Sequence, residues 1–568
     1  MERKLYKTEK IRDLRELVRR ADRLFAEKIA YKEIGSNDEV FDYTFGRLKE
    51  DTDALGTKLF DMGMKGYHIA VLGENSYRWV VSYLSIVNGL GVVVPLDKEM
   101  TDDEIAMLIN KSDSKSVICS DTYADALSGI LPKCPAVEHA VVMNPSQEYE
   151  NLLDMNVLID EGKEIIKSGN REYLDTSIDI DKMCEIVYTS GTTGANKGVM
   201  LSHKNIMTVI FGAMSLIKPV DTSFSVLPIS HTYECSCHIL GGIQSGLTIC
   251  FNDSLKRVMK NIERFKPNFS VMVPLFLETM YRSIWINAEK NGLDKHLKYG
   301  LWFSNLLRKL GIDQRGLYFK PILEKFGGNL NLVVSGGAPL REEVIKGMTD
   351  FGIEVLNGYG ITECAPLVST NSVLWKKKGS VGRIIPGCEV KIDNPDEKGI
   401  GEVLVKGDNV MLGYYKDKKN TDLSFTADGW FKTGDLGYLD KQNFLYINGR
   451  RKNLIILANG KNISPEEIEG IVSEKIPYAK EVVVYSPFNK EGTQDTIIAS
   501  IYIDKEYIIT NGISNIKEEL NRDIKLINRN LPVYKRIAKT LISETEFEKT
   551  ATKKIKRDLV INRSAENV

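Results

Sequence analysis

A chain of 568 residues is too long for one compact core and implies two or more domains. Its 43% hydrophobic and 27% charged residues are ordinary for a soluble globular protein, and a net charge of −1 supplies no general field favouring nucleic acid or an anionic membrane. Eight cysteines at irregular spacing argue against a disulfide framework and for reduced thiols in a cytoplasm.

The opening Met1-Glu-Arg-Lys-Leu-Tyr is charged and has no apolar core, so it does not read as a secretory signal. Ile11 to Phe25 has helical spacing with a basic polar side. That side is compatible with peripheral contact at a membrane, and a solvated face is the simpler reading. Alternation follows: strands at Ile69–Leu72, Gly91–Pro95, Ser116–Cys119 and His139–Met143, helices at Tyr77–Val87 and from Thr101, where Thr101-Asp-Asp-Glu104 forms a capping box. Strands alternating with helices predict right-handed crossovers and an α/β core of mostly parallel sheets. The most apolar window, Val80 to Leu96, is broken by polar residues and falls short of the roughly 20 residues that span a bilayer.

Between Pro145 and Met183 the chain is polar and acidic. Val271-Met-Val-Pro274 reads as a strand meeting a proline. Leu297 to Leu310 is an amphipathic insertion, expected to pack as a helix on the core. After about residue 380, short alternating strands at 390–392, 402–406 and 444–447 suggest a small β-barrel or sheet. The last 110 or so residues, with a helix from Ser464 and strands at 481–485 and 497–503, read as a separate small α+β domain.

One stretch organises the chain: Tyr188-Thr-Ser-Gly-Thr-Thr-Gly-Ala-Asn-Lys-Gly-Val-Met200. Its glycines allow tight turns, and its hydroxyls and free N–H groups make an anion-binding concavity to which Lys197 adds a charge. Cys184–Tyr188 and Val199–Leu201 read as flanking strands, so the loop is hairpin-like. Its order is neither the P-loop nor the dinucleotide fingerprint. It resembles the phosphate loop of the adenylate-forming enzymes, the superfamily of acyl-CoA synthetases, peptide-synthetase adenylation domains and luciferases, with Asn196 where that family usually has proline.

Six further stretches resemble the same family in chain order. In Asn357-Gly-Tyr-Gly-Ile-Thr-Glu-Cys364 the resemblance makes Tyr359 the adenine-stacking residue, among Asn357, Gly358 and Gly360. It makes Thr362 a phosphate contact and Glu363 the Mg²⁺ ligand. In Ser335-Gly-Gly-Ala-Pro339, Gly336, Gly337 and Ala338 approach adenine and the acyl group. In Gly429-Trp-Phe-Lys-Thr-Gly-Asp435, Asp435 resembles the ribose-binding aspartate. In Gly449-Arg-Arg-Lys-Asn453, Arg450 resembles the ribose and phosphate arginine, and Lys452 falls at the hinge. Gly460, in Ala-Asn-Gly-Lys-Asn-Ile-Ser-Pro, fits the loop that serves thioester formation. Lys554, before Ile555, matches the catalytic lysine, with Lys553 as a neighbouring competitor.

The resemblance therefore implies an ATP-dependent ligase, closest in form to the long-chain fatty acyl-CoA synthetases, with ATP, Mg²⁺ and CoA as cofactor or co-substrates. Implied nucleotide contacts are Thr189, Ser190, Gly191, Thr192, Thr193, Gly194 and Lys197, besides those above. Implied catalytic residues are Lys554, Thr192 and His231, the last lying in Leu-Pro-Ile-Ser-His-Thr-Tyr-Glu near the acyl carboxylate. His231, Gly241, Gly242, Gly336 and Gly460 are assigned to the acyl and CoA site, with Gly241 and Gly242 leaving room for a tunnel. Implied domains are 1–450 and a mobile 451–568. Expected partners are small molecules and no nucleic acid, in a cytoplasmic setting. Open alternatives are a medium-chain or aromatic acyl-CoA ligase, an acyl-AMP ligase loading a carrier protein, or a nucleotide-binding scaffold without catalysis. Cys235, Cys237 and His238 lie close together but fall short of the four ligands of a usual zinc site.

Overall fold

The computed structural model describes residues 4–189, 196–457, 462–487, 494, 496–550 and 554–565. The chain forms two compact units. The first comprises Met1–Gly337, Val344–Glu389 and Val405–Phe431; the second comprises Ala338–Glu343, Val390–Leu404 and Lys432–Val568.

The first unit contains two large sheets. One has eight strands in the order Gly413–Tyr414, Lys197–Ser202, Met183–Thr189, Val92–Leu96, His68–Leu72, Ser114–Ser120, His139–Met143 and Leu153–Asp154. Its pairs are parallel from Met183–Thr189 onward and antiparallel at the other edge. Ile69 to Leu72 and Val93 to Leu96 are buried throughout, so these strands read as continuous apolar runs covered on both faces. The helix Tyr77–Val87 is buried at every position and is capped by Ser76, whose hydroxyl accepts from Trp79 N–H. The capping box at Thr101 and Glu104 starts the helix Asp102–Lys111 as the sequence predicts.

The second sheet has nine strands, with Glu354–Gly360, Leu332–Ser335, Phe269–Met272, Thr222–Ser225, Thr248–Phe251 and Ile29–Ile34 running parallel in its middle. Its edges are antiparallel, at Leu367–Thr370 and Arg383–Ile384 on one side and Val40–Thr44 on the other. The helix Leu14–Phe25 buries Arg15 and half-buries Arg20, while Arg19 and Arg23 stay exposed. Arg15, Arg19 and Arg20 donate to the carbonyls of Thr176, Leu174 and Gln244 at 2.6, 2.8 and 3.1 Å. Three arginines of the basic side noted in the sequence thus bind the protein's own backbone.

Glu185, in the strand that leads to the phosphate loop, is 1% exposed. Burial pushes its carboxyl up to about 8, against a smaller opposing effect of Tyr83, whose Oη lies 3.3 Å from Oε2. The folded protein therefore holds a proton here that the unfolded chain releases above its ordinary value of 4.5. For this group, stability is greatest below that value and falls as pH rises toward 8, by about 1 kcal/mol per pH unit within the window. Glu185→Gln is expected to flatten that dependence. Melting of both proteins at about pH 6 and about pH 8 checks it, and equal slopes would remove Glu185 as the cause.

The insertion forms the helix Asp294–Lys309, but it does not sink into the core. Ser304 is its one buried residue. Its inward side carries Gly300 and Ser304 with the half-buried Leu297, Leu301 and Leu307, while Tyr299, Trp302, Phe303 and Leu306 are exposed.

The second unit holds most of a four-stranded sheet, ordered Cys388–Asp393, Gly401–Gly407, Phe431–Leu439 and Leu445–Arg450. It also holds a three-stranded sheet of Ala479–Tyr485, Ile498–Ile503 and Lys539–Ser543. Ile468 and Val472 of the helix Pro465–Lys475 share a core with Ile501 of this sheet and Leu520 and Ile524 of the helix Ile516–Asn530. Proline at the first position and Glu466 and Glu467 in the first turn start the former helix well. Among the described residues, no helix is long and apolar enough to cross a membrane.

Candidate active site

The phosphate loop is the turn of an antiparallel hairpin, with Tyr188 opposite Gly198 and Thr189 opposite Lys197. Ser190, Gly191, Thr192, Thr193 and Gly194 lie outside the described residues. The hairpin fixes where Lys197 leaves the sheet: its Nζ is 4.8 Å from the centre of the Tyr414 ring. Tyr414 Oη donates to Glu363 Oε1 at 2.9 Å. Burial first, and then the charge of Glu363, raise the Tyr414 hydroxyl above its ordinary value, so it stays protonated as a donor. The Glu363 carbonyl accepts from Met411 N–H at 2.9 Å, and Gly413 and Tyr414 pair with Met200 and Val199. The short segment 411–414 therefore fastens the Glu363 turn to the loop hairpin. Sequence reading missed Tyr414, because nothing in its spacing reveals a partner so far away in the chain.

Asn357, Gly358, Tyr359 and Gly360 end a strand whose register sets Asn357 beside Ser335 and Tyr359 opposite Ser369. Thr362 and Glu363 follow in a single 3₁₀ turn. At Gly360 an added Cβ would lie 1.9 Å from the Pro366 carbonyl oxygen, so only glycine lets these strands close. Gly336 and Gly337 follow the strand Leu332–Ser335. A Cβ at Gly336 would come within 2.8 Å of the Tyr233 ring, which is held by its own bond to the Val334 carbonyl at 3.1 Å. Gly337 has φ +86°, a conformation that favours glycine.

His231 Nε2 lies 3.2 Å from Asp97 Oδ2. Burial alone would raise the Asp97 carboxyl. His231 and the Glu99 N–H outweigh it and hold the group below its usual value, as a carboxylate. One residue, Thr232, separates His231 from a π-helix, Tyr233–Leu240, a rare form that frequently occurs at functional sites. On its buried side, His238 Nδ1 meets Glu234 Oε1 at 2.9 Å, and His238 Nε2 meets Ser223 Oγ at 2.7 Å. Ser225 Oγ donates to the same Glu234 oxygen at 2.6 Å. This network occupies His238, and among the described residues no group of three or more His, Cys, Asp or Glu could hold a metal ion. Gly241 and Gly242 continue into a buried helix, where added Cβ atoms would meet Met214 Cε at 3.0 Å and Ile249 Cδ1 at 2.7 Å.

In the second unit, Asp435 and Arg450 are opposite each other on neighbouring strands, joined Nε to Oδ1 at 3.0 Å. The Asp435 N–H donates to Thr433 Oγ1 at 3.0 Å. Burial first, and then the charge of Arg450, lower the Lys452 ammonium below its ordinary value. Ala338 also belongs to this unit. Lys554 is exposed, and its carbonyl accepts from Thr550 N–H at 2.8 Å. Gly460 and Lys553 lie outside the described residues.

With its mixed α/β fold and the cluster of Lys197, Tyr414 and Glu363 beside the hairpin, the chain belongs to the AMP-binding enzyme family. Residues 18–415 match that family, and residues 452–568 match its C-terminal domain. The chain is 31% identical over 444 residues to the long-chain-fatty-acid–CoA ligase ACSBG1 of Mus musculus, covering 73% of this chain and 61% of that protein. It thus spans about three-fifths of the length of the mammalian relatives it matches. It is 25% identical to the long-chain-fatty-acid–CoA ligase FadD15 of Mycobacterium bovis, covering 93% of this chain and 92% of that protein. In fold it resembles the anthranilate CoA ligase AuaEII, with a TM-score of 0.77, 19% identity and 99% of each chain covered. It also resembles the adenylation domain of a Mycobacterium chelonae carboxylate reductase, with a TM-score of 0.79, 19% identity, and 98% of this chain and 91% of that one covered.

Proposed function

We propose that the chain activates a long-chain fatty acid with ATP as the acyl-adenylate, releasing pyrophosphate, and passes the acyl group to CoA with release of AMP. The observation that carries this is the Lys197–Tyr414–Glu363 cluster beside the phosphate-type hairpin, in a member of the AMP-binding enzyme family. The names of the relatives support the long-chain acid.

In the first step a carboxylate oxygen attacks the α-phosphate in line, and the bond to pyrophosphate breaks. Such a step needs positioning and charge neutralisation more than a covalent enzyme group. Lys197, Thr189 and the loop that includes Thr192 neutralise the phosphates. Tyr359 stacks on the adenine. Asp435, oriented by Arg450, accepts from the ribose hydroxyls. His231, held by Asp97, faces the acyl carboxylate, and Lys554 balances the charge building at the reacting oxygens. Glu363 presents a half-buried carboxylate oriented by Tyr414. One carboxylate with room for phosphate oxygens suits Mg²⁺, which when bound would neutralise the phosphate charge.

The C-terminal residues 451–568 are proposed to act as a mobile domain about Lys452, with Lys554 serving adenylation and Gly460 the thioester step. The start of the C-terminal family match at residue 452 supports that division. Eight cysteines without a disulfide support a cytoplasmic setting.

The test is AMP release from a panel of acids, with and without CoA. Long saturated or monounsaturated acids are expected to outpace acetate and benzoate. Binding should strengthen by roughly 0.8 kcal/mol per added methylene until the site is full. Preference for acetate or an aromatic acid would overturn the long-chain reading. AMP release driven by a carrier protein and not by CoA would overturn the acceptor.

A further inference from the structure

Lys111 ends the helix Asp102–Lys111 and stands at the base of the phosphate hairpin. A cation in the last turn suits the negative end of a helix, which accounts for the residue type. It does not account for where the side chain goes. The ammonium donates to the Asn196 carbonyl, 85 residues further along the chain, and lies 5.9 Å from the centre of the Tyr188 ring. Tyr188 belongs to the strand that enters the loop, and Asn196 directly precedes the strand that leaves it. One ammonium thus spans both limbs of the hairpin.

The same helix end grips the hairpin a second time. Asp113, two residues on, accepts from Tyr415 Oη at 2.5 Å and from Lys416 Nζ at 2.6 Å. The Tyr415 N–H in turn donates to the Gly198 carbonyl at 2.7 Å. That contact reaches a residue already paired in the sheet. The Lys111 contact reaches Asn196, one residue beyond the last pair, Thr189 with Lys197.

What the Lys111 contact controls follows from covalent geometry. The Asn196 carbonyl and the Lys197 N–H belong to one planar peptide unit, so holding the first orients the Cα from which Lys197 projects. Lys197 lies against Tyr414, the donor to Glu363. Asn196 also stands where proline is usual in the family. Proline would fix φ there covalently, whereas asparagine leaves it free. The lysine supplies from outside the loop a restraint that a proline ring would supply from within.

We propose that Lys111 is a positioning residue for the phosphate loop: by holding the Asn196 carbonyl across the base of the hairpin, its ammonium aims Lys197 at the phosphates of ATP. The inference rests on the reading of this loop as the ATP phosphate site. It does not depend on which acid is activated.

The experiment is a double-mutant cycle of Lys111→Ala and Asn196→Pro in the full chain, read as kcat/KM for ATP in AMP release with acid and CoA saturating. Lys111→Ala is expected to lower kcat/KM about five- to tenfold, with a melting temperature near the wild-type value. In the Asn196→Pro background the same substitution should cost about twofold or less, because the ring has taken over the restraint. Lys111→Arg, which keeps a donor at similar reach, should stay close to the wild type. An equal loss in both backgrounds would overturn the proposal and make Lys111 a direct phosphate contact or a general charge. Unchanged kinetics in folded Lys111→Ala would overturn it too. Amide hydrogen exchange of the nucleotide-free protein keeps the test open if the proline variant fails to fold. Lys111→Ala should speed exchange in the peptide containing Asn196 and Lys197, and unchanged exchange there would overturn the proposal. Calorimetric titration of the wild type with Mg·ATP alone separates the two readings. No ATP binding would bring down the ATP site and this inference with it, whereas normal binding with a failed cycle would bring down only the role of Lys111.

Discussion

Lys554→Ala is expected to lose acyl-adenylate formation by about 100- to 1,000-fold, while still converting supplied acyl-AMP and CoA to thioester. The size follows from removing one charged donor aimed at oxygens that gain charge in the transition state. The selectivity follows from the proposed division of labour, in which Gly460, not Lys554, serves the second step. Exposure and local bonding make the variant a fair test. The Lys554 backbone is fixed by Thr550, whose N–H donates to the Lys554 carbonyl and whose hydroxyl accepts from the Lys554 N–H at 3.2 Å. Truncating the side chain leaves both bonds in place. Measuring the two half-reactions separately decides it. Equal loss in both would make Lys554 a structural residue, or would shift the catalytic role to Lys553.

Asp435→Ala is expected to raise the ATP requirement about 10- to 100-fold, the equivalent of about 1.5–3 kcal/mol for hydrogen bonds to a charged group. The Asp435 side chain is 5% exposed, and Arg450 approaches one of its oxygens. Arg450 is itself partly exposed, so the variant frees it to solvent rather than leaving a buried charge without a partner. The loss should therefore appear in ATP use and only slightly in melting temperature. ATP kinetics with the fatty acid saturating are the measurement. An unchanged ATP requirement in a folded variant would take Asp435 out of the nucleotide site.

What was legible in the sequence was local. The helix Tyr77–Val87 and the strand His139–Met143 stand where their apolar runs predict them, and the hairpin flanks the glycine-rich loop. These elements announce themselves through unbroken burial or an end signal. The helix Phe45–Asp61 does not, because its buried side includes Asp51, Thr52, Asp53 and Thr57, which blur the apolar period. Its capping residue, Thr44, was the available signal. The helix Met155–Lys167 was lost inside a stretch read as merely polar and acidic. The partners of the site residues were also illegible. Asp97 beside His231, and Tyr414 between Lys197 and Glu363, are placed by sheet pairing and packing across long separations. The amphipathic insertion was readable as a helix, but which side faced inward was not, since both sides carry apolar residues. The bonds from Asn305 and Arg308 to Asp350 set its orientation.

The pairing of Gly413–Tyr414 with the loop hairpin bears on how the molecule is made. Lys197 leaves the ribosome roughly 200 residues before Tyr414, a delay of roughly 10–40 s at ordinary rates of synthesis. Over that interval the strand Lys197–Ser202 is an open sheet edge, and an open edge invites pairing with another chain. The strand Ile29–Ile34 waits likewise for Thr248–Phe251. The nascent chain therefore exposes its phosphate hairpin long before it can complete it. A chain that stops short of Tyr414 keeps the hairpin but loses the donor to Glu363 and the strand that covers the edge.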